Sequence, residues 1–285
     1  MGLAKDMLIS IRGVDHYYEW VCQPSAGEKK PVLVFIHGWG GSGRYWKSTA
    51  TALSDQFDCL VYDIRGFGRS RLPETHSTSF DMEEYAEDLV LLLDQLNLEK
   101  VYLNAHSMGA SLATLFIARY PEKVEKAILT CSGIFNYNPI TFKLFHFAGT
   151  YVVKLRFNWL SKLPTMDRLF TARFLHRPIP AAERKAFLED YLLADEAAAA
   201  GTIYTAVSKH AATVMPDAFA QVSVPILLVA GEKDIIIPTR LAQQAASLNR
   251  EKIEYFELPK TAHFPMLEDA PNYLDKVRTF FSSPY

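Results

Sequence analysis

Short apolar runs recur along this 285-residue chain, and segments with helical spacing separate them. Two strand-like runs at residues 8–12 and 16–22 predict a hairpin, and buried-strand runs follow at residues 32–36, 101–103, 124–130 and 224–230. Two further predicted strands span residues 57–63 and 253–257. A strand that is apolar at nearly every position is buried on both faces, as strands are in a parallel sheet covered by helices. The alternation therefore predicts an α/β fold with a mostly parallel, twisted sheet, helices on both faces and right-handed crossovers.

One long segment interrupts this alternation. Residues 134–220 hold helical patterns but no buried strand, and five prolines divide them: Pro139, Pro164, Pro178, Pro180 and Pro216. We therefore predict a catalytic core formed by residues 1–133 and 221–285, with a helical cap (residues 134–220) inserted after the sixth strand. Ligands of parallel sheets bind beyond the carboxyl ends of the strands, so the cap is predicted to lie over that edge.

The sequence Ala105-His-Ser107-Met-Gly109 lies between a predicted strand and a predicted helix that is periodic from Ser111. It fits the strand–turn–helix in which a strained serine presents its hydroxyl to solvent, and Gly109 would let the backbone pass close to the strand. The first small residue is alanine instead of the usual glycine. Taken alone, the match is equally typical of an ordinary turn with a capping serine.

Three further motifs follow predicted strands: His37-Gly-Trp-Gly, Asp63-Ile-Arg-Gly-Phe-Gly-Arg-Ser70, and Gly231-Glu-Lys-Asp234 with its later partner Ala262-His263. With the serine turn, they resemble the α/β-hydrolase family over nearly the whole chain. The order Ser107, Asp234, His263 is the order in which this fold uses its catalytic triad. The resemblance therefore implies the α/β-hydrolase fold.

The resemblance also implies a role for each of these residues. Ser107 would be the nucleophile, His263 the general base that takes its proton, and Asp234 the acid that orients the imidazole. The backbone N–H groups of Trp39 and Met108 would form the oxyanion hole.

The remaining histidines are predicted to be structural. His106 is expected to point away from the site, and His37 to order the glycine loop by hydrogen bonding. His146, His176 and His210 lie in the predicted cap, where packed or solvated side chains are the favoured interpretation.

Charged residues other than Asp234 are expected to be structural too. Asp63 and Arg65 should fix the second glycine loop, and Asp88 and Asp94 should lie on the solvated face of a helix over residues 81–96. No His, Cys or Asp spacing indicates a metal site, so neither a metal nor a cofactor is expected.

Composition narrows the class of protein further. The net charge of −2 does not favour nucleic acid, and no run reaches the roughly 18 apolar residues of a membrane span. Residues 1–10 lack the apolar core of a secretion signal. Cys22, Cys59 and Cys131 are odd in number and indicate free thiols in a reducing compartment. We expect a cytoplasmic protein; the sequence does not indicate its oligomeric state.

The function implied is hydrolysis of a carboxylic ester, with a hydrophobic acyl group, through an acyl-serine intermediate. Serine at position 107 argues against dehalogenases and epoxide hydrolases, which use aspartate there. Carbon–carbon bond hydrolases and thioesterases share the triad and remain alternatives. A small-molecule receptor that keeps a hydrolase pocket is an alternative of another class.

The first half of the predicted cap is basic and aromatic. Residues 134–180 contain seven cations against one acid, a local balance of +6, and ten aromatic residues. In the favoured interpretation the aromatic side chains line the acyl pocket and the cations face water. In the other, this surface makes peripheral contact with an anionic membrane.

Overall fold

The computed structural model describes residues 7–22, 30–75 and 77–284. Its eight strands form one sheet in the order β1-β2-β4-β3-β5-β6-β7-β8. β1 and β2 are antiparallel, and β3 to β8 are mutually parallel, which confirms the predicted sheet. The strands are β1 (Leu8–Ile11), β2 (Val14–Trp20), β3 (Val32–Ile36), β4 (Asp58–Tyr62), β5 (Val101–His106), β6 (Val124–Thr130), β7 (Ile226–Gly231) and β8 (Ile253–Leu258).

Eleven α-helices connect and cover the strands in these described residues. They are α1 (Lys47–Leu53), α2 (Met82–Gln95), α3 (Met108–Arg119), α4 (Pro139–Lys154), α5 (Met166–Thr171), α6 (Ala181–Leu193), α7 (Glu196–Ala206), α8 (Lys209–Gln221), α9 (Thr239–Ser247), α10 (Pro265–Glu268) and α11 (Ala270–Ser282). Short 3-10 helices occupy Gly43–Trp46, Pro121–Lys123 and Asn158–Lys162.

The side chains of β3 alternate between two hydrophobic cores, one on each face of the sheet. Val34 and Ile36 join the core beneath α2 and α3, whereas Leu33 and Phe35 join the core beneath α1 and α11. All four are fully buried. Burial on both faces explains why β3 is apolar throughout, as its sequence predicted.

Helix α3 starts earlier than its periodicity indicated. It begins at Met108, directly after Ser107, and not at Ser111. The carbonyl of Ser107 accepts hydrogen bonds from the N–H groups of Ala110 (2.9 Å) and Ser111 (3.1 Å). The helix therefore begins at the turn itself, within small residues that carry no periodic apolar signal.

The expectation that Asp88 lies on a solvated face is wrong. Its side chain is fully buried, and Nε of the equally buried Arg65 donates to it across 2.6 Å. A buried carboxylate requires such a partner, and the partner comes from the second glycine loop. Asp94, by contrast, is exposed and pairs with Lys123.

Five helices, α4 to α8, lie between β6 and β7. α4 packs against α7, α5 against α6, and α8 against α3 of the central layer. Pro216 does not separate two helices as predicted, because it lies inside α8. A packed helix tolerates an internal proline at the loss of one backbone hydrogen bond.

Two hydrogen-bonded contacts attach this insertion to the glycine loop after β3. The carboxylate of Asp190 in α6 accepts from Ser42 Oγ (2.6 Å) and from the Arg44 guanidinium. The indole of Trp39 donates to the carbonyl of Ala199 in α7 (3.0 Å).

Parts of the N-terminal region lie outside the described residues. These are residues 1–6 and 23–29, so the prediction for residues 1–10 is largely outside them too. Within the described ranges, no helix is both long and apolar enough to cross a bilayer. Cys59 and Cys131 are buried free thiols, and Cys22 is half-buried.

Candidate active site

Ser107 occupies a strained turn at the carboxyl end of β5. Its backbone has φ +53° and ψ −121°, a region that residues with a side chain rarely adopt. The N–H of Ser107 donates to the carbonyl of Thr130 on the neighbouring strand β6 (2.9 Å), which holds the turn against the sheet. The serine side chain is therefore presented beyond the sheet edge instead of within the core.

Gly109 allows the glycine loop to pass next to this turn. A Cβ at position 109 would lie 2.3 Å from the carbonyl oxygen of His37, far inside contact distance. Gly38, next along the loop, is packed so that a Cβ there would lie 3.0 Å from the Cβ of Ser107. The loop after β3 and the start of α3 are thus in direct contact around Ser107.

The structure brings Ser107, His263 and Asp234 together. His263 Nε2 lies 3.0 Å from Ser107 Oγ, and His263 Nδ1 lies 2.7 Å from Asp234 Oδ2. The side chains of His263 and Asp234 are only 5% and 1% exposed. The loops after β7 and β8 carry the acid and the histidine, as their order in the sequence predicted.

Asp234 is held as a carboxylate. Burial raises its pKa, but the neighbouring His263 and the N–H groups of Ile237 and Ile236 outweigh burial, and the net pKa is lowered. The two N–H groups donate to Oδ1 at 3.1 and 2.8 Å. An ionised Asp234 accepts a hydrogen bond from the N–H at Nδ1 of His263. Nε2 of the imidazole therefore carries a lone pair, which faces Ser107.

The backbone N–H groups of Trp39 and Met108 are unused donors. Neither has a hydrogen-bond acceptor among the residues that the structure describes. Met108 is the first residue of α3, where an N–H has no partner within the helix. Both belong to the two segments that meet at Ser107, so they are available to an anionic oxygen there.

A chain of hydrogen bonds behind the site joins the glycine loop to the histidine loop. Gly38 N donates to the Tyr45 hydroxyl (2.5 Å), which lies 2.9 Å from His106 Nδ1, and His106 Nε2 lies 2.7 Å from the carbonyl oxygen of His263. A carbonyl only accepts, so Nε2 carries the proton and Nδ1 accepts from Tyr45. Burial lowers the pKa of His106 well below its ordinary value, in keeping with a neutral ring.

The sequence predicts a structural role for His106 but none for Tyr45. Tyr45 lies in the short 3-10 helix Gly43–Trp46 and is 2% exposed. An aromatic residue at the start of a predicted helix carries no signal of such a role, because its partner lies 61 positions away.

The other histidines for which a role was predicted make no hydrogen bond to the triad within the described residues. His37 Nδ1 donates to the carbonyl of Gly38 (2.8 Å) and its Nε2 accepts from Ile64 N (3.0 Å), so both nitrogens order the loop. In the insertion, His146 Nε2 bonds to the carbonyl of Val207 and His210 to Glu83, while His176 uses its backbone N–H to reach Glu268.

Asp63 fixes the two glycine loops to each other. Its carboxylate accepts from Gly43 N (2.7 Å), Arg69 N (2.9 Å) and Arg69 Nε (2.6 Å). Arg65 turns the other way, to the buried Asp88. The loop that carries Trp39 is therefore held on several sides before any ligand binds.

Comparison with known proteins identifies the family. The sequence model described as alpha/beta hydrolase fold matches residues 31–270. The chain belongs to the α/β hydrolase fold family. An uncharacterized protein of Mycobacterium tuberculosis is 25% identical over 267 residues, which cover 89% of this chain and 76% of that protein.

Solved structures of α/β hydrolases share the fold at low sequence identity. The esterase EaEST from Exiguobacterium antarcticum superposes with a TM-score of 0.80 at 19% identity, over 98% of this chain and all of that chain (100%). The enol-lactonase from Burkholderia xenovorans LB400 gives a TM-score of 0.78 at 18% identity, over 97% and 100%. At these identities the likeness shows the fold.

In this α/β hydrolase the thiol of Cys131 lies close to Asp234. Donor atoms of His106, Cys131 and His263 all lie within 4.8 Å of one another, and no spacing in the sequence indicates this grouping. Burial, and after it the Asp234 carboxylate, raise the pKa of Cys131 well above its ordinary value. The imidazole nitrogens are engaged in the hydrogen bonds already described, so the grouping does not fit a metal ion.

Proposed function

We propose that this protein hydrolyses a carboxylic ester through an acyl-serine intermediate. The observation that carries the proposal is the continuous hydrogen-bonded chain from Ser107 Oγ through His263 to Asp234, at 3.0 and 2.7 Å. A serine hydroxyl is a weak nucleophile, and a positioned imidazole with a free Nε2 lone pair is what activates it.

In the first half-reaction, Ser107 Oγ attacks the acyl carbon while His263 Nε2 takes the hydroxyl proton. Asp234 stabilises the resulting imidazolium without taking its proton. The tetrahedral intermediate collapses, the alcohol leaves with the proton from His263, and the acyl group stays on Ser107. Water then repeats the sequence, with His263 as its base, and releases the carboxylic acid.

The negative charge on the tetrahedral oxygen needs preorganised donors. We assign these to the backbone N–H groups of Trp39 and Met108, which have no other acceptor among the described residues. Loss of one such donor typically costs about 3 kcal/mol of transition-state stabilisation. The hydrogen bonds that hold the Trp39 loop keep that donor in place during turnover.

A recess next to α3, with a mixed lining, is the site we propose for the acyl group. It lies between α2, α3, α4, α7 and α8, and its walls combine apolar residues with polar ones: Leu115, Phe135, Phe142, Met215, Glu83, Ser111, Ser208 and His210. The triad residues do not line it. Ser111, one helical turn beyond Ser107, places its wall about 6 Å along the helix from the nucleophile.

An esterase and an enol-lactonase share this fold, and ester hydrolysis is the reaction that we propose first. Thioester hydrolysis, carbon–carbon bond hydrolysis and a receptor with a retained pocket use the same geometry. These differ in what is turned over, so a substrate panel separates them.

The test combines active-site labelling with turnover. A fluorophosphonate probe is expected to label native protein and Ser247→Ala but not Ser107→Ala; Ser247, exposed at the end of α9 and outside the proposed acyl site, serves as the control. p-Nitrophenyl esters of increasing acyl length, and the corresponding thioesters, are then assayed. We expect turnover of the esters and a loss of at least about a thousandfold in kcat for Ser107→Ala. Labelling without turnover of any substrate would instead favour the receptor.

A further inference from the structure

An apolar stripe on helix α4 faces solvent. Ile140, Leu144, Phe147 and Tyr151 are 81%, 67%, 60% and 52% exposed. At about 100° per residue, these four side chains fall within a sector of about 60° on the helix surface. The buried residues of α4 are Phe142, Gly149 and Val153, which project from the opposite side. The stripe is therefore the outer face of a helix that is already packed.

The apolar surface continues beyond the end of α4. Large side chains that are each more than 40% exposed follow it along the chain: Leu155, Phe157, Trp159, Leu163 and Leu169. Together with the stripe they form what we call the outer surface of the insertion. Isolated exposed apolar residues are ordinary in proteins, but a concentration of large ones within residues 140–169 marks an interaction site.

The aromatic residues of this region mostly do not line a pocket. Of the ten in residues 134–180, six are exposed: Tyr137, Phe145, Phe147, Tyr151, Phe157 and Trp159. Phe135, Phe142, Phe170 and Phe174 are buried or half-buried. Packing against the core therefore explains only the smaller part of the aromatic content.

The cations on the same surface lack acidic partners. Five exposed ones make no ion pair with any described residue: Lys143, Lys154, Lys162, Arg168 and Arg173. Asp167 is the only acid between residues 134 and 180, and Arg184 binds it across 2.9 Å. The positive charge of the outer surface is thus not neutralised within the described part of the chain.

Two of these cations border the stripe itself. On the helix, Lys143 and Lys154 project about 40–60° to one side of Ile140, next to the apolar row. A lysine there can lay its methylene stem along apolar surface while its ammonium group reaches outward. An apolar row with lysines along its edge is the arrangement of helices that lie in a lipid headgroup layer.

We propose that the outer surface of the insertion docks on an anionic phospholipid bilayer. Phe147, Tyr151 and Trp159 would enter the boundary between headgroups and acyl chains, where aromatic side chains are favoured. The unpaired cations would meet lipid phosphates. A protein partner fits less well, because protein interfaces are depleted in lysine at their centre. This inference does not depend on the proposed ester hydrolysis.

Cosedimentation with vesicles tests the proposal. Native protein and Ser107→Ala are both expected to pellet with phosphatidylcholine–phosphatidylglycerol vesicles at low salt. High salt should reduce the pelleted fraction, and pure phosphatidylcholine should capture little protein. Lys143→Glu/Lys154→Glu and Leu144→Glu/Phe147→Glu are each expected to weaken binding at least about tenfold.

A matched control carries equivalent changes elsewhere. Leu248 is 41% exposed and Arg250 is also exposed, both near the end of α9, so Leu248→Glu/Arg250→Glu should bind as the native protein does. Circular dichroism and thermal melting establish that each variant is folded before vesicles are added.

Tryptophan quenching gives a local readout. Trp159 is 56% exposed, whereas Trp46 is buried and Trp20 and Trp39 are half-buried. Anionic vesicles should protect Trp159 from acrylamide, and Trp159→Phe should remove that change while the protein still pellets. The proposal is overturned by negligible pelleting with both vesicle types, or by binding that ignores salt and the stripe variants. Protection of Trp159 without vesicles, as a second copy of the chain would give, overturns it as well.

Discussion

The Tyr45 hydroxyl is hydrogen-bonded to His106 Nδ1 across 2.9 Å, and through this bond the glycine loop is connected to the backbone of His263. Both residues are almost fully buried. Neither hydrogen-bonds to Ser107 Oγ or to the imidazole nitrogens of His263, and the His106 ring packs against the His263 ring with the centroids 4.8 Å apart. We infer that Tyr45 and His106 are positioning residues, because they fix the distance between the loop with the oxyanion donors and the loop with the base.

Tyr45→Phe should therefore damage both stability and catalysis. It leaves Gly38 N–H and His106 Nδ1 without a partner in the interior, at a cost of about 1–3 kcal/mol in unfolding free energy. We expect kcat to fall about tenfold or more with little change in KM, because misplacement acts on the transition state. Urea denaturation and steady-state kinetics measure the two effects.

Tyr273→Phe is the matched control for that variant. The buried Tyr273 hydroxyl bonds to Thr130 and Asn104, both at 2.9 Å, and has no contact with the triad. A similar loss of stability with unchanged kcat is expected. Equal kcat losses in the two variants would refute a positioning role for Tyr45.

The backbone of Ser107 makes a prediction about stability. Glycine adopts φ +53° and ψ −121° without penalty, whereas alanine keeps the strain. Ser107→Gly should be more stable than Ser107→Ala by about 1 kcal/mol or more, although both are inactive. The order should reverse at Ser111, inside α3, where glycine costs about 1 kcal/mol relative to alanine. Thermal or urea unfolding of the four variants measures both differences. The same order at both positions, with the alanine variant the more stable, would argue against a strained turn at Ser107.

Gly231→Ala should separate the acid loop from the histidine loop. A Cβ at position 231 would lie 1.9 Å from the carbonyl oxygen of Ala262, next to His263. The backbone must move, so we expect a loss of about 1–3 kcal/mol in stability and a large fall in kcat. In Gly149→Ala the new methyl meets only the side chain of Ile203, remote from the triad, and kcat should be unchanged. Native kcat in Gly231→Ala would show that the loops are not in tight contact.

The buried His16 predicts how stability depends on pH. Burial, followed by the charges of Arg65 and Arg12, lowers its pKa to about 3. The unfolded chain binds a proton at His16 below about pH 6.5 and the native state does not until about pH 3. Between these values the free energy of unfolding should therefore fall with falling pH, by up to about 1.4 kcal/mol per pH unit from this side chain.

Replacing His16 should flatten that dependence. Between pH 6 and pH 4, His16→Gln is expected to lower the slope of unfolding free energy against pH by the contribution of one proton, about 1.4 kcal/mol per pH unit. Urea denaturation measures this slope. Tyr62→Phe removes the hydroxyl bonded to His16 (2.7 Å) but keeps the imidazole, so it should lower stability without changing the slope. Identical slopes for native protein and His16→Gln would contradict the assignment.

The sheet was predictable because a strand buried on both faces leaves a local apolar signature. The positions of Ser107 and Asp234 beyond strand ends were predictable for the same reason. β8 is only partly buried, so the position of His263 was indicated by the motif Ala262-His263 instead. The motif order then indicated how they would meet. The catalytic roles themselves stay predictions until they are tested.

What the sequence could not indicate depends on contacts between distant residues. Asp88 looked like a solvated helix residue because nothing within its helix reveals that Arg65 reaches it from a loop 23 positions earlier. In the sequence, Tyr45 and Cys131 look like ordinary residues of apolar segments. The fold brings Tyr45 to His106, and it brings Cys131 to His106 and His263. Likewise, the exposed side of α4 is set by which of its faces α7 covers.

The triad also has a consequence for how the molecule folds. Ser107 and His263 are separated by 156 positions, and they meet only after β7 and β8 have joined the parallel sheet. Contacts of such high sequence separation form late, because loop closure must precede them. During refolding, the helical circular dichroism signal should therefore recover before reactivity toward a fluorophosphonate does, and the interval between them reports the docking of the last two strands.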